Sequence, residues 1–374
     1  MLTAYAGSTC KEVRLDNDDG PFSKIPVYDQ EKFESNDPGI CYSIAASHLI
    51  DADRYYRGER DLKQITSPLS IAINYNVGRK QSLFAGEGAT NRLSLGDTDE
   101  AILKNQNKIV CDQRFLEKFI SYFSEEKDTN PLVSSDKKKS QENFIKETIA
   151  QINTLAAQKE RLSNAQTNIA NREDCLNSYF QSLIVPNVKN LNDIRQVLVA
   201  AVDESDLVVR LKTVLGSICS ENKFSVQTAV PINFDGATKE ENEEWEKLWN
   251  RLVREPSKVK ENHKKLDEMT TTMDKLKPQR IAATLGQIFS SEKPVPVAVS
   301  FRYSMLSTTG NGSHVATIIG REFNSKTRQC EYIVRDSYGK GCRDNYKFKC
   351  VDGNISVPED VLVNHATNLV WLPR

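Results

Sequence analysis

The chain has 374 residues, more than one compact unit ordinarily holds, and 39% of them are hydrophobic, enough for real cores. Fifty basic residues stand against 51 acidic ones for a net charge of -1, which removes any whole-chain electrostatic case for nucleic acid or an anionic membrane as partner. No apolar run approaches the ~18 residues of a transmembrane helix, so no membrane span is expected.

At the start, Ala4-Tyr5-Ala6 has the small-x-small form of a signal-peptidase site, with no charged or apolar region ahead of it. A trimmed signal is favoured, and with it an extracytoplasmic or secreted setting over a cytoplasmic one. Val27-Tyr28-Asp29-Gln30 then offers a side-chain amide able to donate to an oxyanion. Next, a loop ending in Gly39 gives way to Ile40-Cys41-Tyr42-Ser43-Ile44-Ala45-Ala46, an Ala-rich apolar pattern that predicts a helix. Cys41 stands at its N-terminus, where unsatisfied backbone N–H groups and the positive end of the macrodipole favour the nucleophilic thiolate. His48, seven residues further along, reads as a core histidine. Gly86 and Gly88 mark a loop.

From Asp136-Lys137-Lys138-Lys139 to about Lys277-Pro278 the chain is rich in Lys, Glu, Gln and Asn and poor in glycine. Leu155, Leu162, Leu176 and Leu183, with Ile169 between them, recur every seven residues behind Ile145, Ile149 and Ile152. That is the stripe of a long amphipathic or coiled-coil helix, read as intramolecular packing. Leu191 to Cys219 predicts further helix. Lys223-Phe224-Ser225-Val226 to Pro231-Ile232-Asn233 reads as extended or loop chain, and a second helical run spans about Lys239 to Lys275, interrupted at Pro256. Beyond it, Ser313 to Gly320 predicts a strand with an imidazole, His314, at its start. Tyr332 to Gly339 predicts another, ending in a carboxylate and an aromatic, Asp336 and Tyr338.

Eight cysteines leave seven once Cys41 is set aside, an odd number that does not describe a tidy disulfide framework. Cys330, Cys342 and Cys350 lie close together, and one oxidised pair among them or buried free thiols are both open readings. With His365 they lack the short Cys-x-x-Cys spacing of a zinc site, so no metal is expected. Asn311-Gly312-Ser313 and Asn354-Ile355-Ser356 match glycosylation sequons, a pattern too common to carry weight.

Cys41, His314 and Asp336, in that order, could form a nucleophile, its base and the orienter of the base, with Gln30 able to serve as an oxyanion donor. The chain resembles the papain-like cysteine peptidases, in the manner of a bacterial-type member. The family pattern of Asp-Gln-Gly, Cys-Gly-Ser-Cys-Trp-Ala-Phe-Ala, His-Ala-Val and Asn-Ser-Trp-Gly is matched by Asp29-Gln30, Gly39 to Ala45, His314-Val315-Ala316 and Asp336-Ser337-Tyr338-Gly339. Ser67-Pro68-Leu69 to Asn74-Tyr75 and Lys293 to Val299 add two further matches in order. Pro38 stands where the family has a disulfide-forming cysteine, residues Glu31 to Ser35 lengthen the loop before Cys41, Asp336 replaces asparagine, and Tyr338 replaces the tryptophan that shields the His contact from water.

The resemblance implies an α+β, two-lobed papain-like fold. The expected divisions are an N-terminal segment and helical lobe with the nucleophile (1–129), an inserted, mainly helical domain (130–280) and an antiparallel β lobe with His314 and Asp336 (281–374). The insertion follows from spacing. Cys41 to His314 is 314 − 41 = 273 residues, against roughly 130–150 in the family. The resemblance further implies Gln30, Cys41, His314 and Asp336 as catalytic residues. Gly86 and Gly88 would receive extended substrate, with Tyr42 and Tyr338 as flanking substrate contacts. A peptide or protein is the expected substrate and no cofactor is needed; a protein partner or inhibitor is expected at the insertion. With so few residues ahead of Gln30, the insertion is expected to stand in for the inhibitory propeptide of the family. Two other readings stand beside the peptidase: a thiol acyltransferase or crosslinking enzyme using the same triad, and a catalytically inactive papain-like binding protein.

Overall fold

The computed structural model describes residues 10–28, 40–77, 96–114, 223–254, 259–310 and 312–374, together with Lys212 and Cys219. It is α+β, with six α-helices and an antiparallel sheet among those residues. The chain divides into two compact units, one of residues 28–228 and one of residues 1–27 with 229–374.

In the first unit, helices α1 (Cys41–Tyr56), α2 (Pro68–Asn76) and α3 (Thr98–Asn105) pack on one another. Every residue of α1 from Cys41 to Tyr55 is buried. Ser43, Ala45, Ala46, Ser47 and Ala52 make that possible, because small side chains let neighbours approach on all sides. The serine hydroxyls are absorbed by the helix itself, Ser43 Oγ donating to Ile40 O and Ser47 Oγ to Ser43 O, both at 2.8 Å. Helix α2 starts where Ser67 caps it, the side chain accepting from the Ser70 N–H, with Pro68 in the first turn. Asn74 and Asn105 tie α2 to α3 through a 2.9 Å amide hydrogen bond. Strand β1 (Val13–Arg14) belongs to the other unit. Here β2 (Ile109–Cys111) pairs antiparallel with β3 (Lys223–Ser225), and Cys111 is joined to Cys219. The chain therefore leaves at Cys111 and returns beside it, so the intervening excursion has a closed neck. The predicted leucine stripe, the Leu191 to Cys219 helix except Lys212 and Cys219, and Lys137 to Lys139 lie outside the described residues.

In the second unit the sheet runs β4 (Ile232–Phe234), β10 (Ala366–Trp371), β5 (Val297–Arg302), β6 (Ser313–Asn324), β7 (Gln329–Arg335), β9 (Asn354–Pro358), β8 (Cys350–Val351), with β1 also paired to β6. Helices α4 (Lys239–Arg254), α5 (Val259–Ser290) and α6 (Glu359–His365) complete it. Thr238 and Glu241 form a reciprocal capping box at the start of α4, the Thr238 N–H donating to Glu241 Oε2 at 2.8 Å and the Glu241 N–H to Thr238 Oγ1 at 3.2 Å. Pro256, the predicted interruption, lies outside the described residues, between the end of α4 at Arg254 and the start of α5 at Val259.

The second helical run does not stop near Lys275. It passes through Pro278 and ends at Ser290, because Ile281, Leu285 and Phe289 recur every four residues and are all fully buried. That stripe outweighs the one backbone hydrogen bond a proline removes. Ile232–Phe234, read from the sequence as loop or extended chain, adds an edge strand to the sheet by pairing with Leu369–Trp371. Residues 229–280 thus group with the sheet, whereas the sequence division runs at 129/130 and 280/281.

Of the two open readings for Cys330, Cys342 and Cys350, one oxidised pair among them is what forms: Cys342 pairs with Cys350, while Cys330 pairs with Cys10, a bridge the sequence did not suggest. No helix among the described residues is long and apolar enough to cross a membrane.

Candidate active site

His314 is the second residue of β6, opposite Phe301 on β5. Asp336 follows the last residue of β7, a strand that pairs with β6 through Thr317 and Arg335. The antiparallel ladder therefore brings a residue near the start of one strand beside a residue just past the end of the next. His314 Nε2 lies 2.6 Å from Asp336 Oδ1, with both side chains buried. The main chain at Asp336 is held too. Its N–H donates to Gly353 O at 3.2 Å, in a turn where Gly353 has φ +77° and a Cβ would meet Gly339 O at 2.6 Å. Only glycine fits there.

Asp336 accepts three hydrogen bonds, from His314 Nε2, from the Ser337 N–H at 2.8 Å and from the Tyr346 hydroxyl onto Oδ2 at 2.6 Å. Burial by itself would raise its pKa. The charge of His314 and the donors of His314, Tyr346 and Ser337 outweigh burial and hold the carboxyl below its ordinary 3.8. A carboxylate can only accept, so Nε2 is the nitrogen that donates, and Nδ1 is the ring atom through which a proton can pass to or from a reacting group.

Aromatic rings enclose the imidazole. Tyr338 lies parallel to it with centroids 5.6 Å apart and an interplanar angle of 12°, while Tyr303 and Phe301 present edges at 4.9 and 5.5 Å. The Arg343 guanidinium carbon sits over the Tyr338 ring, 3.5 Å from its centroid. Such walls lower the local dielectric and strengthen the His314–Asp336 interaction. Tyr346, Tyr303 and Phe301 were missed by sequence reasoning. For the last two a signal existed, since Phe301 and Tyr303 are spaced by two and extended chain places such residues on one face. For Tyr346 there was none beyond its place between Cys342 and Cys350.

In the helical unit, Cys41 is the first residue of α1 and 8% exposed. Among the described cysteines it is the one outside a disulfide. Tyr42, expected as a substrate contact, is instead turned into the interior at 1% exposure. Its hydroxyl accepts from Asn76 Nδ2 at 3.0 Å, its ring packs 5.1 Å from Tyr75, and Gly96 lies so close that a Cβ there would meet the ring at 2.5 Å. His48 is buried and stacked on Tyr28, the packing of a core residue. Gln30, Gly86 and Gly88 lie outside the described residues. The sulfurs of Cys330, Cys342 and Cys350, considered above as a zinc set, are all engaged in disulfides, and among the described residues no group of three or more His, Cys, Asp or Glu could hold a metal ion.

No protein-family model matches this chain, and no curated protein is significantly similar to it.

Proposed function

We propose that the protein is a papain-like cysteine peptidase in which Cys41 is the nucleophile, His314 the acid and base, Asp336 the orienter of His314 and Gln30 an oxyanion donor. The observation that carries this reading is the buried His314 Nε2 to Asp336 Oδ1 contact of 2.6 Å inside an aromatic enclosure. It supplies an imidazole of fixed tautomer with Nδ1 as its working atom. A cysteine outside any disulfide at a helix N-terminus supports the assignment of the nucleophile.

In this reading the Cys41 thiol gives its proton to His314 Nδ1, its sulfur attacks a peptide carbonyl carbon, a C–S bond forms, and the carbonyl oxygen becomes an oxyanion that accepts hydrogen bonds from Gln30 and the Cys41 N–H. The C–N bond then breaks as His314 delivers its proton to the departing amine. Water next attacks the thioester while His314 takes one of its protons. The C–S bond breaks, releasing a carboxylic acid and restoring Cys41. Three disulfides support folding in an oxidising, extracytoplasmic compartment. The excursion between Cys111 and Cys219, closed at its neck, is the segment we assign to control of access or to binding a protein partner.

An epoxide-type thiol-peptidase inhibitor followed by peptide mapping tests the reading. The expected adduct is on Cys41, absent in Cys41→Ala and strongly slowed in His314→Ala. An adduct on Cys175 alone, none in the folded protein, or a rate indifferent to His314 would end it.

A further inference from the structure

The second oxygen of Asp336 has its own dedicated donor. We propose that Tyr346 is a positioning residue of this site, whose hydroxyl, 2.6 Å from Asp336 Oδ2, locks the carboxylate in the orientation that holds His314; the proposal rests on the peptidase reading above.

Tyr346 lies in a loop fastened at several points. The Cys342–Cys350 disulfide closes the loop at its ends, and the Tyr346 N–H donates to Arg343 O at 3.2 Å. The Thr308 N–H donates to Asn345 O at 2.9 Å and the Lys347 N–H to Leu306 O at 2.8 Å, while Ser307 and Tyr346 form a bridge. A phenol anchored on both sides of its own Cα loses little further freedom when it donates, which makes the contact a stiff one. The ring is only half-buried. Phenylalanine would fill the same volume, so what tyrosine adds here is the hydroxyl. Without it, the carboxylate keeps the Ser337 N–H and His314, both on Oδ1, and loses the donor that resists rotation about the Cβ–Cγ bond from the opposite oxygen.

The titratable groups around this carboxylate are His314 from β6 and Tyr346 from the loop, with Tyr303 from the turn after β5 next to Tyr346; the Arg343 guanidinium lies over the neighbouring Tyr338 ring. Of these, only Tyr346 and His314 hydrogen-bond Asp336 through their side chains. The burial of Tyr346 and the negative charge of Asp336 both raise the pKa of the phenol, so it stays protonated and remains a donor throughout the working range of a peptidase. Loss of this donor raises the pKa of Asp336, since the hydrogen bond favours the anion.

The test is Tyr346→Phe in the full-length protein, with the Asp336 carboxyl and the His314 imidazole followed by NMR titration and peptide hydrolysis followed against pH. We expect Asp336 to titrate at higher pH than in the unaltered protein. We expect kcat to fall roughly ten- to a hundredfold, the range of one charge-assisted hydrogen bond, with KM little changed and the acid limb displaced upward. A fluorinated tyrosine at 346, which keeps the shape and makes the phenol a stronger donor, should shift Asp336 the other way. An unchanged Asp336 titration in Tyr346→Phe would overturn the proposal, as would a shifted titration with kcat unaffected. Failure of the peptidase reading is seen separately, in an unaltered protein that neither hydrolyses peptides nor reacts at Cys41.

Discussion

Asp51, on the same helix as Cys41, makes the pH dependence of folding predictable. Its carboxylate is fully buried, 2.8 Å from Arg54 Nη1, and accepts from Thr66 N at 2.9 Å and Thr66 Oγ1 at 2.6 Å. Burial pushes its pKa up from 3.8 to about 6, against the opposing pull of Arg54 and Thr66. Arg54 is not spent on Asp51 alone, because it also bonds Glu59 at 2.6 Å and Gln64 O at 3.0 Å. The sign follows from proton counting. Between pH 3.8 and about 6 the folded state holds a proton on Asp51 that the unfolded state has released, so stability falls as pH rises through this window. The span, 6 − 3.8, at 1.36 kcal/mol for each pH unit, is about 3 kcal/mol. Asp51→Asn keeps the shape and cannot ionise. The stability of the unaltered protein minus that of Asp51→Asn should therefore decrease by about 3 kcal/mol from about pH 3.5 to about pH 6.5. For a unit of roughly 200 residues that is about 6–12 °C in relative midpoint, read by thermal unfolding in far-ultraviolet circular dichroism. A difference that is flat, or that grows with pH, would refute the reasoning, since growth means the Arg54 pair outweighs burial.

Asp336→Asn should retain far more turnover than Asp336→Ala, because asparagine can accept from His314 Nε2 through its carbonyl oxygen and donate its amide toward Tyr346. The alanine variant should lose roughly 10³–10⁴, and equal, negligible losses in steady-state peptide hydrolysis would remove Asp336 from the mechanism. Gln30→Ala should lower kcat by roughly 10²–10³ with intact Cys41 labelling, the mark of a missing oxyanion donor; an unchanged kcat would exclude it. Replacing residues 116–216 by a Gly/Ser linker while retaining Cys111 and Cys219 should leave a folded protein that still reacts at Cys41, with altered substrate preference or inhibition. An insoluble product would show that the excursion builds the helical unit instead of hanging from it.

What could be read from the sequence was local. Ile40 to Ala46 announces a helix with Cys41 at its first position because the apolar pattern and the preceding glycine are contiguous, and α1 begins there. Ser67-Pro68 marks the start of α2 in the same way, through a side-chain cap followed by a ring that presets φ. Strands β6 and β7 form where the apolar runs predict strands, with His314 near the start of β6, but β7 ends at Arg335, just before Asp336, where the sequence carries it on to Gly339. The end of α5 was not legible, since Pro278 is a stop signal in isolation and only the burial of Ile281, Leu285 and Phe289 overrides it. Two disulfides were beyond reach for another reason. Cys10–Cys330 and Cys111–Cys219 span 320 and 108 residues, and no local pattern fixes a contact across such separations.

The enclosure of His314 shows the same limit at the scale of one residue. Asp336 could be proposed because carboxylate, aromatic and glycine follow one another in a recognisable order. Tyr346, ten residues later, contacts the same carboxylate but carries no such marker. Its position depends on a loop closed by Cys342 and Cys350 and fastened to residues 306 to 308, so its proximity to Asp336 is a property of the folded loop. Among the described residues there are three disulfides, and Cys41 belongs to none of them. One of them closes the loop that carries Tyr346, so the proposed activity needs one sulfur reduced and two others oxidised.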